Sequence, residues 1–523
     1  LLRHWDFYWA NVPPIDEAVL AQFHCIGPNQ RAPTPYHELD NFIRLHAWWW
    51  AFWVSVHAPE MTGERCAVLL ARCLRTFDLV AARGIRIHEH NFTAMQMESL
   101  YFWAVSLPEC IGMDVWRHAA RNNLESSLNR AVTEDGVHWE QSVSYHNGCI
   151  GWYGHSYLLG RMNGEPWAEA YGDRLLRMGG FVDAVITPDG KVPLLSDSDR
   201  VGNWRNGLAL LRCIDPEVRF AHDAGPSYPS VWYSGGQNWT PSDPPAAPLR
   251  LGVFPQGGIG VARHPDRALG TMLLFDNGPT QAGHAHKDNL TVHFEAHAKP
   301  VLVDPGRWIY DSSAERSWVM QTPSHNTIWI EDEPLGTDER ITTPRLHIIG
   351  STDDRRLAPI QTQERDGIAR LSTRFKGYTD DADAEAQRTV WMPMNDSAPW
   401  LAVLDRISAP GAHIWTNTWL LPTSEPVRAG QGGYTATLDS GLPLRFAAAS
   451  SETLELRDDA KFWCPNYGEQ SPARWLRFSA RCTTGWRAFI FLPCESERPM
   501  PDITFDGQTL RLTIDGQTIT CPA

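Results

Sequence analysis

Residues 235–249 divide the chain into two stretches that obey different rules. The run Gly235-Gly236-Gln237-Asn238-Trp239-Thr240-Pro241-Ser242-Asp243-Pro244-Pro245-Ala246-Ala247-Pro248 cannot carry a helix. Proline lacks the N–H that a helix needs, and its ring clashes with the preceding turn. Before this run, apolar residues recur at three- and four-residue steps in Leu39–Val56, Cys66–Ala82, Thr93–Leu107, Val115–Ala131, Ile150–Arg161 and Ala168–Val185, the helical period. After it come short segments between turn residues: Gly258–Ala262, Thr271–Phe275, Leu290–Glu295, Thr327–Ile330, Ala386–Met392, Trp400–Ile407 and Trp415–Leu421. The tail, Gln508–Cys521, reads as a hairpin around Asp515-Gly516. At 523 residues the chain is too long for one core. The pattern predicts a multidomain α+β protein. Residues 1–234 form paired antiparallel helices in series, 235–249 a linker, and 250–523 an antiparallel β-sandwich.

The formal net charge of −15 argues against nucleic acid as a partner and gives no support for broad capture of a densely sulfated polymer. No run of 18 or more apolar residues marks a membrane span. Ala47–Val56 is the most apolar stretch, and His57 ends it. The ten cysteines form no CxxC pair and read as small buried hydrophobes. The chain holds 24 tryptophans, more than core filling alone explains where they crowd. Trp49-Trp50 with Trp53, and Trp152-Tyr153, suit stacking on the C–H faces of sugar rings.

One stretch stands out for chemistry: Gly283-His284-Ala285-His286-Lys287-Asp288-Asn289-Leu290. If a strand starts this early, His284 and His286 point to one face. Two later segments add possible ligands. Val301-Leu302-Val303-Asp304-Pro305-Gly306 is a buried-strand run that ends in an acid and a turn, and Ser324-His325-Asn326-Thr327 opens another strand. Two histidines and one aspartate make a first-row metal site with N and O ligands. On the residues alone either histidine of the pair serves as the ligand. Asp304 then reads equally as a turn residue and His325 as a strand-edge histidine.

The helical half carries its own polar clusters. His88-Glu89-His90-Asn91 precedes a strong helix pattern, where Asn91 also reads as a helix cap. Trp139-Glu140-Gln141-Ser142-Val143-Ser144-Tyr145-His146-Asn147 follows the turn Glu134-Asp135-Gly136.

These pieces, in this order, resemble the heparinase II/III-like polysaccharide lyases. The matching segments are Asn91 ahead of Met95-Gln96; Glu140-Gln141-Ser142 through Tyr145-His146; Pro188-Asp189-Gly190 with Pro193 and Asp197-Ser198-Asp199; Gly283-His284-Ala285-His286 with Asp288; Lys299 to Gly306; and Ser324-His325-Asn326-Thr327. The resemblance implies an N-terminal incomplete (α/α) helical toroid followed by a C-terminal antiparallel β-sandwich, with β-elimination at a uronic acid. It implies a periplasmic or secreted protein, although no signal peptide is visible, and an acidic polysaccharide as partner.

By the same resemblance Asn91 damps the carboxylate charge of the sugar. Tyr145 is the acid, and also the base if both proton transfers lie on one face. His284 is the base for the opposite stereochemistry or a helper of Tyr145. A tyrosine base needs a positive charge nearby. His286, Asp304 and His325 hold a structural divalent metal, zinc in preference to calcium, which favours an all-oxygen shell. Trp152, Arg200, Glu140 and His146 are the expected substrate contacts. Relatives commonly show Asn-His where this chain has His90-Asn91-Phe92, so the roles of His88 and His90 stay open, and either supplies the displaced imidazole. A glycosaminoglycan is the expected substrate and alginate the second choice. A toroid hydrolase would instead need two carboxylates across a cleft, from Glu89, Glu140, Asp197 and Asp199. A binding protein without activity is the third reading.

Overall fold

The computed structural model describes residues 37–82, 90–222, 225, 227–234, 247–280, 283–332, 357–376, 384–395, 398–494 and 498–523. His88 and most of the proline-rich run lie outside the described residues.

The first half is helical: α1 (Glu38–Ser55), α2 (Gly63–Ala82), α3 (Asn91–Ser106), α4 (Met113–Ala131), α5 (Val143–Met162), α6 (Glu169–Val185), α7 (Trp204–Ile214) and α8 (Tyr228–Ser234). The first six match the period-3.6 segments, α7 and α8 add to them, and together they form an incomplete (α/α) toroid. Helix α3 is central. It is buried from Thr93 to Val105, including the polar Gln96 and Glu98, and packs against α1, α4 and α5. Ser142 caps α5, its Oγ accepting from the Tyr145 N–H at 3.4 Å.

Three antiparallel sheets follow. The first has five strands in sequence order: β1 (Leu251–Phe254), β2 (Ile259–Arg263), β3 (Met272–Asp276), β4 (Thr291–Ala296) and β5 (Lys299–Leu302). The second contains β6 (Ile328–Ile330), β7 (Gln361–Arg365), β8 (Ile368–Lys376), β9 (Glu385–Pro393), β10 (Leu401–Leu421), β11 (Arg428–Gly430), β12 (Gly433–Thr437), β13 (Pro443–Ser450), β14 (Glu455–Trp463) and β15 (Ser471–Pro493). Its main path runs β11-β12-β13-β15-β10-β9-β8-β7. The third, β16 (Asp502–Phe505), β17 (Thr509–Ile514) and β18 (Gln517–Pro522), contains the expected tail hairpin.

The layers can be read from the side-chain alternation. Ile259, Val261, Met272 and Leu274 on one face of the five-stranded sheet join the core of the helices. Ala262, Leu273, Phe275, Val292 and Phe294 on the other join the core of the large sheet. Its back is covered in turn by Ile503, Leu510, Leu512 and Ile514 of the third sheet. Strand β4 is therefore buried on both faces, and its polar His293 and Glu295 point at the helices opposite Leu274 and Met272.

Hydrogen bonds tie the helical half to the first sheet. Arg263 Nη2 donates to the Ala184 and Ile186 carbonyls (3.1 and 2.5 Å), and the Gln256 N–H donates to Asp135 (2.7 Å).

Two expectations change. The segments Trp400–Ile407 and Trp415–Leu421 are one strand, β10, because both pair with β15; the register shifts once, between Ser408 and His413. The Gly283–Leu290 stretch is a loop, and β4 begins only at Thr291. Strand alternation is thus not what brings His284 and His286 together.

Candidate active site and metal centre

What gathers the two histidines is Asp197, from the helical half. It is buried, and its two oxygens face four N–H donors: His284 Nδ1 at 3.1 Å, His286 Nε2 at 2.9 Å, and Arg316 Nη1 and Nη2 at 2.6 and 2.8 Å. Burial opposes the Asp197 charge, but the hydrogen bonds from His284, His286 and Arg316 outweigh it and hold the carboxyl well below its usual range. An ionised carboxylate only accepts, so it fixes both rings. His284 carries its proton on Nδ1 and His286 carries its proton on Nε2. The other nitrogens, His284 Nε2 and His286 Nδ1, are buried without a hydrogen-bond partner.

Tyr145, on the first turn of α5, lies flat on His284, with ring centroids 3.6 Å apart and planes 13° from parallel. Its hydroxyl meets that of Tyr310 at 2.8 Å, and the Tyr310 hydroxyl is 3.4 Å from His284 Nδ1. Arg307 donates to the Tyr310 hydroxyl at 3.3 Å, and its guanidinium lies over the rings of Tyr310 and Tyr467. Arg307 also pairs with Asp199 through Nε at 2.9 Å. Burial raises the Tyr145 phenol above its ordinary pKa, and Tyr310 and Arg307 oppose that rise. Arg307 is thus a positive charge close to Tyr145, although the phenol stays above its ordinary value.

The backbone around these groups is strained. Gln141, Ser196, Leu290 and Trp308 have φ of 59°, 53°, 64° and 57°, the left-handed region that non-glycine residues avoid. Each adjoins a site residue: Glu140, Asp197, the His284–Asn289 loop or Arg307. Such strain costs of order 1 kcal/mol per residue and is held by surrounding contacts.

Beneath His284 lies Glu140. Its Oε1 accepts the Asn91 N–H at 3.1 Å and is 3.6 Å from His90 Nδ1, and its Oε2 is 4.0 Å from His284 Nε2. Burial pushes the Glu140 carboxyl up to about 7, and His284 and the Asn91 N–H pull against that. His90 caps α3, with Nδ1 accepting from the Phe92 N–H at 3.4 Å. Both residues of the ambiguous pair therefore reach the site. Asn91 is buried with an unpartnered Oδ1, and His90 stands 6.0 Å from the His284 ring.

His286, Asp304 and His325 form a second, fully buried group, their ligand atoms all within 4.8 Å of one another. His325 Nδ1 faces Asp304 Oδ2 at 2.7 Å. Two imidazoles and one carboxylate, with His286 Nδ1 left as an uncommitted lone pair, fit a divalent metal. The three residues flank strands: His286 precedes β4, Asp304 follows β5, and His325 precedes β6.

Asn326 stitches these ends together. Its amide donates to the Val292 and Val303 carbonyls (2.9 and 2.8 Å), and its Oδ1 accepts the Leu420 N–H (2.7 Å). Behind it the buried Arg388, paired with Asp405, donates to the Leu290 and Asn326 carbonyls, both at 2.7 Å. The turn after Asp304 requires glycine. At Gly306, φ is 70°, and a Cβ there would sit 2.3 Å from the Cys464 carbonyl oxygen.

The structure thus gathers Asn91, Tyr145, His284 and His90 at one place, and His286, Asp304 and His325 beside it. The expected substrate contacts fare differently. Glu140 and His146 are buried, and their side chains face other groups of the protein. Glu140 opens the segment leading into α5, and His146, next to Tyr145 on that helix, turns inward to Met178 and the His138 N–H. Arg200 is bound to Asp189 and Glu295 at 2.6 and 3.0 Å, with its side chain 11% exposed, and so links the helical half to the first sheet. Trp152 keeps an accessible face, with its ring over Gly148 one turn from Tyr145. Trp49 belongs to the helical core, with Trp50 and Trp53 packed against it.

Sequence reasoning did not find Arg307, Tyr310 and Arg316. Arg307 alone had a signal, as it directly follows the Asp304-Pro305-Gly306 turn.

Comparison with known proteins bears on the family and the fold. The family model of the heparinase II/III N-terminus matches residues 27–209, and that of the heparinase II/III-like C-terminal region matches 246–491. A heparin-sulfate lyase of Bacteroides stercoris is 22% identical over 353 residues, which is 64% of this chain. The chain spans about half the length of that curated relative, at 50%. A crystal structure of heparinase III superposes with a TM-score of 0.77 at 14% identity, covering 99% of this chain and 78% of that one. The heparan sulfate lyase HepC from Pedobacter heparinus superposes at 0.70 with 17% identity, covering 93% and 74%. The two matched models together span most of the sequence, and the chain belongs to the heparinase II/III-like family.

Proposed function

We propose that the chain is a polysaccharide lyase. In this reading it cleaves a uronic-acid-containing glycosaminoglycan of the heparan sulfate, chondroitin or hyaluronan type by β-elimination and leaves an unsaturated uronate end. The observation that carries the proposal is the Tyr145 hydroxyl. It is paired with Tyr310 at 2.8 Å, stands near Arg307, and sits on a phenol ring stacked on an imidazole that Asp197 locks in place.

In this reading the Asn91 amide receives the uronate carboxylate and stabilises the enolate-like intermediate. Tyr145 takes the C5 proton as phenolate and returns it to the departing glycosidic oxygen, both on one face. Its own proton leaves first to solvent water, relayed by the half-exposed Tyr310 hydroxyl, which gives up its own proton and takes that of Tyr145, while Arg307 favours the phenolate electrostatically. His284 Nε2 is buried against Glu140, so His284 works by holding and polarising Tyr145. His286, Asp304 and His325 would hold a structural metal, zinc in our reading, which pins the loop that carries His284.

The hydrolase alternative loses support. Glu140 and Asp197 are buried, and Asp199 is paired with Arg307. None of the three is placed to flank a sugar as the two-carboxylate mechanism demands. Two arginines of the site, Arg307 and Arg316, are each already paired with an aspartate. This supports a preference for lightly sulfated or unsulfated chains over heparin.

The test is an ultraviolet product assay on a panel of uronate polymers, with alginate included. Tyr145→Phe should abolish the unsaturated product while retaining polymer binding. No ultraviolet-absorbing product on any polymer would overturn the lyase reading, and product from alginate alone would move the substrate to that polymer.

A further inference from the structure

We propose that His90, Glu140 and His284 form a second divalent-cation site, separate from the His286–Asp304–His325 group, that takes zinc or a cation of similar borderline softness. One ligand atom from each lies within 4.8 Å of the others. The atoms that face one another are His90 Nδ1 and Glu140 Oε1 at 3.6 Å, and Glu140 Oε2 and His284 Nε2 at 4.0 Å. Ligands of a tetrahedral zinc stand about 3.3 Å apart, given bonds of about 2.0–2.1 Å. The two pairs stand about 0.3 and 0.7 Å wider than that, and no pair in the group exceeds 4.8 Å, so the three groups must close by up to about 1.5 Å to share one ion.

Two observations beyond proximity point to a ligand. Glu140 Oε2 and His284 Nε2 are both buried and have no hydrogen-bond partner, a costly condition for polar atoms. His284 is also already prepared as a metal ligand. Asp197 holds its Nδ1–H at 3.1 Å, which leaves the Nε2 lone pair directed toward Glu140. A carboxylate fixing the far nitrogen is the outer-shell arrangement that metal-binding histidines use. Two imidazoles and one carboxylate leave a fourth position open, on the side where the His90 side chain is 38% exposed. The bond that His90 Nδ1 would give up, from the Phe92 N–H at 3.4 Å, is long.

The proposal does not rest on the lyase reading, because metal stoichiometry is read without substrate. The probe is cobalt(II), titrated into the full chain after chelation and dialysis and followed by metal analysis and visible absorption. His90→Asn retains a good helix cap and removes the imidazole. The variant should bind one equivalent fewer than wild type, or bind it at least about 100-fold more weakly, and lose the matching visible bands. Tyr145→Phe, which removes no ligand, should keep the wild-type number. Equal stoichiometry and spectra in wild type and His90→Asn, with circular dichroism showing both folded, would overturn the proposal. Activity on uronate polymers is measured separately, so failure of the lyase reading is distinguishable from failure of this site.

Discussion

Asp197→Asn is the sharpest perturbation the structure offers. A carboxylate has about four lone-pair sites, and Asp197 faces four donors with them. Asparagine has the same shape but only two lone pairs, and its amide nitrogen is itself a donor. Two of the four interactions must fail or reverse. If the amide nitrogen faces His284, that ring must shift its proton to Nε2 and is held under Tyr145 in the wrong tautomer. An imidazole held in the wrong tautomer costs on the order of 10⁴ in turnover in a comparable arrangement. If it faces His286, the proton moves to Nδ1 and removes a lone pair from the buried metal group, weakening metal binding by roughly 10–100-fold. In both cases the Arg316 guanidinium loses half its partner, and leaving a buried charge uncompensated costs about 3–5 kcal/mol. The assays are ultraviolet product formation, metal content and thermal unfolding of the same preparation. A folded variant with wild-type turnover and wild-type metal content would refute the hub role assigned to Asp197.

Three further predictions follow from other parts of the molecule. His146 is buried, and burial lowers its pKa to about 4. Its depressed folded pKa means that the unfolded chain binds the proton first as pH falls below about 6.5. Stability is therefore lost between about pH 6.5 and 4, by about 3 kcal/mol. His146→Gln should flatten that limb in denaturant titrations, and an unchanged acid limb would contradict the assignment. Asn326→Ala removes three buried hydrogen bonds and should cost roughly 3–6 kcal/mol; a loss under about 1 kcal/mol would show that water or relaxation replaces them. Chelation should lower the unfolding temperature of wild type more than that of His325→Ala, read by calorimetry with and without chelator.

The helices were legible because each buries a stripe or a whole surface, and the period survives in the sequence. Their order around α3 was not, since it depends on packing between residues far apart. The pair His284 and His286 was legible as a motif for the wrong local reason. The alternation that marks β4 starts at Thr291, and what unites the two rings is a carboxylate nearly 90 residues earlier. His146 adjoins Tyr145 on α5, yet neighbours on a helix point in different directions, and its ring turns inward to Met178. Arg307, Tyr310 and Arg316 carry no local signature. Their partners Asp199, Tyr145 and Asp197 lie more than 100 residues away.

Strand β4 is buried on both faces, one against the helices and the other against the large sheet. Neither half of the molecule therefore owns it. A chain cut near residue 240 would leave the helices with Arg200 stripped of Glu295, and would leave the sheets with an open apolar face and His293 and Glu295 in water. The halves on either side of the proline-rich segment therefore share buried surface at β4. The molecule should melt as one cooperative unit, and damage to either half should be felt at the Tyr145–His284 pair.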